Sequence, residues 1–128
     1  MRILSWDDFD ICIKSIVLAC DKKEFCGVYG IPRGGICLAV ALSHALNIPF
    51  LDHPQTGCLV VDDVYETGTT LSEVFDHADM TAFVWCSKVQ PKWWNAIDVS
   101  ESHEWIIFPW ENIDFAVEDE CSYKSRRL

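Results

Sequence analysis

The sequence predicts an α/β fold: a mainly parallel sheet flanked by helices, with a small aromatic-rich C-terminal cap. Three observations lead there. Short unbroken apolar runs, Cys58-Leu59-Val60-Val61 foremost, have the character of central parallel strands, which are buried on both faces. Those runs alternate with segments of helical periodicity, the order expected of β-α-β units. The length, 128 residues, suffices for one domain with a real core and is short for two. The chain is therefore taken as a single domain, 1–128, with the cap at about 89–115 and a tail at 116–128.

In chain order, Ser5 is a favourable N-cap and Asp8 stands in the first turn behind it. Trp6, Phe9, Ile13, Ile16, Val17 and Cys20 then recur at helical spacing, so the first element is an amphipathic helix. Residues 26–30 form a short buried strand, and residues 36–46 a helix apolar on most faces. Pro32-Arg33-Gly34-Gly35 joins them. Pro49-Phe50-Leu51 is a second strand and residues 58–61 a third. Residues 71–78 form a short helix and 81–86 another buried strand. From Gln90 the pattern turns to Pro-punctuated aromatic segments, including Pro91-Lys92-Trp93-Trp94, which form the cap. The polar stretch 118–128 is expected to be loose.

Composition excludes several function classes. Half the residues are apolar, but no run approaches the roughly 18 needed to span a bilayer, and the acidic start (Asp7, Asp8, Asp10) is unlike a signal peptide. A cytoplasmic, membrane-free protein is expected. The net charge of −10 repels a phosphate backbone, and no basic stripe offsets it, so nucleic acid is not an expected partner. The seven cysteines are odd in number and lie mostly in apolar runs, as reduced core thiols do. No Cys-x-x-Cys spacing or histidine cluster supports a structural metal.

One uninterrupted run carries chemistry: Val60-Val61-Asp62-Asp63-Val64-Tyr65-Glu66-Thr67-Gly68-Thr69-Thr70. Parallel α/β sheets bind ligands beyond the carboxyl ends of their strands, where this run falls. Adjacent carboxylates at an exposed strand end can accept hydrogen bonds from vicinal hydroxyls or hold Mg²⁺. The following loop can turn successive N–H groups toward one anion. Gly68 permits close backbone approach, and the threonines add hydroxyl donors. Backbone donors matter because no Lys or Arg occurs between Arg33 and Lys88. Each half of the run has an ordinary reading as a turn or cap; their union is what points to a phosphorylated sugar.

That run resembles the ribose-phosphate signature of type I phosphoribosyltransferases, two acids followed by a Thr/Gly phosphate loop. Ile31-Pro32-Arg33-Gly34-Gly35 is similar to the family loop that receives pyrophosphate, where the residue at Arg33 and the loop amides, Gly34 among them, face the leaving group. Lys88 looks like the lysine that donates to the exocyclic oxygen of a purine. Trp105-Ile106, followed by Phe-Pro-Trp-Glu111, resembles the xanthine-guanine segment in which a ring stacks on the purine and the next residue's backbone reads the 2-position. The resemblance runs to about Glu111 and includes the opening Ser5-Trp6-Asp7.

The resemblance implies transfer of ribose 5-phosphate from phosphoribosyl pyrophosphate to a 6-oxopurine, guanine, xanthine or hypoxanthine, with Mg²⁺ as cofactor. Arg33, Gly34, Asp62, Asp63, Glu66, Thr67, Gly68, Thr69 and Thr70 would bind phosphoribosyl pyrophosphate, with Asp62 and Asp63 also serving Mg²⁺. Lys88, Trp105 and Ile106 would bind the purine. Glu66 would be the general base, at a position where the family commonly has Asp. Family members are commonly dimers or tetramers, so a homo-oligomer is expected. The sequence departs from the family in having only about five residues, 53–57, where a long lid loop usually lies. That keeps a second reading open, a nucleotide or phosphoribosyl pyrophosphate binding protein of the same fold. A signalling receiver domain is disfavoured, because its acid pair follows the first strand and it has no use for a Thr/Gly loop.

Overall fold

The computed structural model describes residues 1–75 and 79–127, in two compact units: Met1–Ile11 with His103–Leu128, and Cys12–Ser102. The expected helix at 71–78 thus lies partly outside the described residues, as does Leu128 of the tail.

The larger unit is built on five parallel strands, β2 (Val28–Gly30), β3 (Phe50–Leu51), β4 (Leu59–Tyr65), β5 (Thr81–Ser87) and β6 (Asn95–Val99), in spatial order β3-β2-β4-β5-β6. Helix α2 (Gly34–Leu46) packs on β2 and β4 through Leu38, Ala39 and Leu42, all fully buried. It ends at Asn47 in the left-handed region, whose N–H bonds back to the Ser43 carbonyl. Helix α3 (Thr69–Val74) buries Leu71 with Phe75 against Val60, Cys58, Ala82 and Val84. Successive residues of a strand face opposite sides, so Val60 faces α3 and its neighbours Leu59 and Val61 face the other way. Both sides of β4 are buried, and its unbroken apolar run follows from that.

In the smaller unit β1 (Arg2–Ile3) pairs in parallel with β7 (Ile106–Ile107). Helix α1 (Trp6–Ala19) starts here and continues into the larger unit. It opens with a reciprocal cap: Asp8 N–H donates to Ser5 Oγ at 3.1 Å and Ser5 N–H to Asp8 Oδ2 at 2.8 Å. Trp6, Phe9, Phe108 and Trp110 form one aromatic cluster, with Phe108 and Trp110 stacked at 5.2 Å.

Two expectations need correction. The cap does not start near residue 89, because Asn95–Val99 is the fifth strand of the main sheet. The segment expected to be loose is helical: α4 (Ile113–Arg127) starts at Asn112, whose side chain accepts the Phe115 N–H at 3.2 Å and whose carbonyl accepts the Ala116 N–H at 2.9 Å. All seven cysteines are reduced thiols, and burial holds the Cys12 thiol up to about 12, so it stays protonated. Among the described residues no helix is long and apolar enough to cross a membrane.

Candidate functional site

The strand order places a topological switch point between β2 and β4. The chain leaves β2 toward β3 on one side and resumes at β4 on the other, which opens a crevice beyond their carboxyl ends. The segments at those two strand ends are Ile31–Gly35, which runs into α2, and the Asp62–Thr70 run, whose first four residues still belong to β4. They meet. A Cβ on Gly34 would overlap the Asp63 carboxylate, and one on Gly35 would strike the Val61 carbonyl and sit 3.2 Å from Asp62 Cα. Only glycines let the start of α2 come this close to β4.

The first loop is held by backbone bonds. Ile31 N–H donates to the Val61 carbonyl at 2.9 Å, and Gly35 N–H to the Ile31 carbonyl at 2.8 Å. The Pro32–Arg33 peptide is cis. Arg33 occupies the N-cap position of α2 with no side-chain cap bond, and its side chain is exposed.

The two acids lie within β4 itself and are only partly accessible. Asp63 N–H donates to Asp62 Oδ1, and Val64 N–H to Asp63 Oδ1, each at 2.8 Å. Burial, followed by the neighbouring Asp63 charge, pushes the Asp62 carboxyl up to about 8, and burial also raises Asp63. Two neighbouring carboxylates in a partly dry crevice favour retention of a proton.

Asp62, Val64, Tyr65, Glu66, Thr67, Gly68, Thr69, Thr70 and Leu71 line an open pocket of about 180 Å³. Gly68 is left-handed at φ 76° and caps α3, its carbonyl accepting the Ser72 N–H at 2.9 Å. The amides that precede Ser72 in this turn have no intrahelical acceptor. Thr67 Oγ1 lies 3.2 Å from Thr69 Oγ1 and receives the Thr69 N–H at 3.4 Å. Glu66, Thr67, Thr69 and Thr70 are exposed. The arrangement is a polar pocket of amides and hydroxyls, the chemistry of an anion site that uses no lysine.

Lys88 follows β5. Its N–H donates to the Tyr65 carbonyl at 2.8 Å, which ties it to the start of the loop, and its Nζ donates to the Ser102 carbonyl at 3.3 Å. Trp105 and Ile106 belong to the other unit, at the start of β7. The Trp105 and Ile107 carbonyls accept the Arg2 and Leu4 N–H groups at 2.8 and 2.9 Å. By strand alternation the backbone groups of Ile106 point away from β1.

The sequence reading missed the support beneath the loop. Tyr65 stacks on Trp94 with centroids 3.7 Å apart and planes 15° apart. Trp94 Nε1 donates to Ser87 Oγ at 3.2 Å, and Ser87 Oγ donates to the Val89 carbonyl at 2.6 Å. Tyr65 lay within the motif with no role attached, and Trp94 had no periodicity to place it. The connection at 52–58 is a tight turn: Cys58 N–H donates to the Gln55 carbonyl at 3.1 Å, and Cys26 N–H to the Gly57 carbonyl at 3.1 Å.

The sequence and the fold have relatives among known proteins. No protein-family model matches the chain. The xanthine-guanine phosphoribosyltransferase of Chromohalobacter salexigens is 25% identical over 134 residues, covering 84% of this chain and 82% of that protein. The crystal structure of a purine phosphoribosyltransferase from Pyrococcus horikoshii Ot3 superposes with a TM-score of 0.71 at 25% identity, covering 87% of this chain and 94% of the other. A hypothetical protein from Neisseria gonorrhoeae, solved with bound ppGpp, shares the fold with a TM-score of 0.65 at 19% identity over 97% of each chain. In sequence and in fold the chain is similar to purine phosphoribosyltransferases, the xanthine-guanine enzymes among them.

Proposed function

We propose that this chain is a phosphoribosyltransferase that transfers ribose 5-phosphate from phosphoribosyl pyrophosphate to a 6-oxopurine and releases pyrophosphate. The observation that carries the reading is the meeting of two loops at the switch point, Gly34 against Asp63 with the Thr/Gly pocket alongside. The amides and hydroxyls of Thr67, Gly68, Thr69 and Thr70 hold the 5-phosphate. Asp62 and Asp63 accept the ribose hydroxyls. Arg33 and the amide of Gly34 face the pyrophosphate oxygens and stabilise the charge that grows as the bond to C1 lengthens. Glu66, exposed at the pocket, takes the proton from the purine imidazole nitrogen. Lys88 donates to the 6-oxo oxygen, Trp105 offers its ring to the purine face, and the Ile106 backbone reads the 2-position.

Adjacent carboxylates whose burial favours a proton form a donor set suited to a divalent cation shared with substrate phosphates. Asp62 and Asp63 would hold Mg²⁺, which when bound supplies positive charge beside the pyrophosphate. Cytoplasmic residence and assembly into a homo-oligomer belong to the same proposal.

The test is incubation with Mg²⁺, phosphoribosyl pyrophosphate and each of guanine, xanthine, hypoxanthine and adenine, with Glu66→Gln and Asp63→Asn as controls. A 6-oxopurine nucleotide that both substitutions suppress establishes the reading; product from adenine alone refutes the base assignment. A second reading, a nucleotide-sensing protein without turnover, is favoured by the tight turn at 52–58 and by the ppGpp held in the Neisseria gonorrhoeae neighbour. Nucleotide binding with no product in any of the four incubations would decide for it.

A further inference from the structure

We propose that Tyr65 and Trp94 are positioning residues, an aromatic brace that holds the phosphate loop in its binding conformation; this rests on the reading of the Thr/Gly pocket as a ribose 5-phosphate site. Tyr65 is the last residue of β4, half-buried, and lines the pocket from below. A Cβ on Gly68 would overlap the Tyr65 hydroxyl and ring, so the phenol lies directly against the glycine that turns the loop. Gly68 cannot sink toward the sheet while the phenol stands there. The phenol in turn is fixed by the face-to-face stack on Trp94. Trp94 is 4% exposed, and its rotation is set by the bond to the fully buried Ser87 hydroxyl. Trp93 closes the cluster, 5.2 Å from Trp94 and 4.7 Å from Phe75, the residue that ends α3.

The brace thus connects β5 and the segment before β6 to the turn of the loop and, through Phe75, to the end of α3. Its physical purpose follows from the lack of lysine and arginine between Arg33 and Lys88. A lysine binds phosphate as a mobile point charge and tolerates a loose loop. Amides bind only when several point at one centre together, so the backbone must already be in place.

The experiment titrates the full-length protein, with Mg²⁺ present, with ribose 5-phosphate by calorimetry, and measures KM for phosphoribosyl pyrophosphate and for guanine. Trp94→Leu removes the stack, and Trp94→Phe restores a flat ring. Trp94→Leu is expected to weaken ribose 5-phosphate and raise KM for phosphoribosyl pyrophosphate about tenfold or more, the scale of small misplacements in a binding site. KM for guanine should stay put, and Trp94→Phe should recover most of the loss. If Trp94→Leu does not fold, Tyr65→Leu makes the same test from the half-buried end of the stack. Unchanged ribose 5-phosphate affinity in a folded variant overturns the proposal, as does an equal rise in both KM values or a failure of Trp94→Phe to rescue. If the wild-type protein itself does not bind ribose 5-phosphate, the reading of the pocket has failed, and the brace as a phosphate-loop device falls with it.

Discussion

Asp62→Asn should stabilise the ligand-free protein at alkaline pH while leaving its stability in acid nearly unchanged. The folded protein holds the Asp62 carboxyl at about 8, against an ordinary 3.8, because burial and then the Asp63 charge disfavour ionisation. Between those values the folded state binds a proton that the unfolded chain has released. The stability associated with this group is therefore complete below about pH 4 and is lost as pH rises through about 8. A shift of about four units corresponds to an upper bound near 5–6 kcal/mol at about 1.4 kcal/mol per unit. The side chain keeps some access to water and ionisation lets water and ions enter, so about 2 kcal/mol is the working figure. Asn cannot ionise and escapes that loss. Thermal unfolding without Mg²⁺ or substrate, from pH 5 to 9, should show the two Tm values close together at pH 5 and the variant higher by about 5–10 °C at pH 9. The difference between variants is the informative quantity, because the remaining acids titrate in both proteins. Parallel Tm profiles for the two proteins across this range would refute the claim that the pair is desolvated. The same reasoning predicts proton release when Mg²⁺ and phosphoribosyl pyrophosphate bind at neutral pH, measurable as a buffer-dependent calorimetric enthalpy.

Gly34→Ala should lower kcat/KM about a hundredfold with the fold intact by circular dichroism, because its Cβ enters the Asp63 carboxylate and separates the two loops; wild-type kinetics would mean that their close approach has no role. Ser87→Ala leaves the buried Trp94 Nε1 donor without its acceptor and should cost about 1–3 kcal/mol in chemical denaturation, and a value near zero would show that the bond does not hold Trp94. Raising salt from about 0.01 to about 0.15 M at fixed Mg²⁺ should lower KM for phosphoribosyl pyrophosphate, since it screens repulsion of an anion by a chain of net charge −10. A KM that rises with salt would instead point to side-chain cations as the main phosphate donors.

The parts of this fold that were legible in the sequence are those whose pattern is enforced by burial. Strand β4 is an apolar run because both its faces are covered, and α2 carries Leu38, Ala39 and Leu42 on the face it buries against β2 and β4, while its outer apolar residues Ile36 and Val40 are exposed and have no such origin. The two-residue strands β1 and β7 are too short to show any periodicity. Strand β6 stands at the end of the sheet among the described residues, and its Asn-Ala-Ile-Asp-Val sequence carries no apolar run. Helix α4 was masked by its polarity, although Asn112 is an N-cap that could have been seen in advance. At the site, the acids and the Thr/Gly loop are adjacent in sequence, so local pattern was enough to find them. The contact between Gly34 and Asp63, and the Tyr65–Trp94 stack, join residues 29 positions apart in each case; no local pattern encodes such a pairing.

The short 52–58 connection and the turn at Gly68 bear on each other. A flexible lid lets an enzyme delay organisation of its site until substrate is bound, with the binding energy of the substrate ordering the loop. Here the connection is a hydrogen-bonded turn, so closure of that segment cannot organise the site. What organisation exists must already be present: glycines that bring α2 against β4, a left-handed Gly68, and a stacked pair of rings beneath it. Such a site binds by complementarity formed in advance, which favours affinity for a phosphorylated ribose whether or not transfer follows. Turnover then depends on whether Arg33, exposed and uncapped at the start of α2, can exclude water from the departing pyrophosphate without a lid. Arg33→Ala separates the cases: in an enzyme it should reduce kcat far more than it weakens ribose 5-phosphate, whereas in a sensor of pyrophosphorylated nucleotides it should weaken the ligand itself.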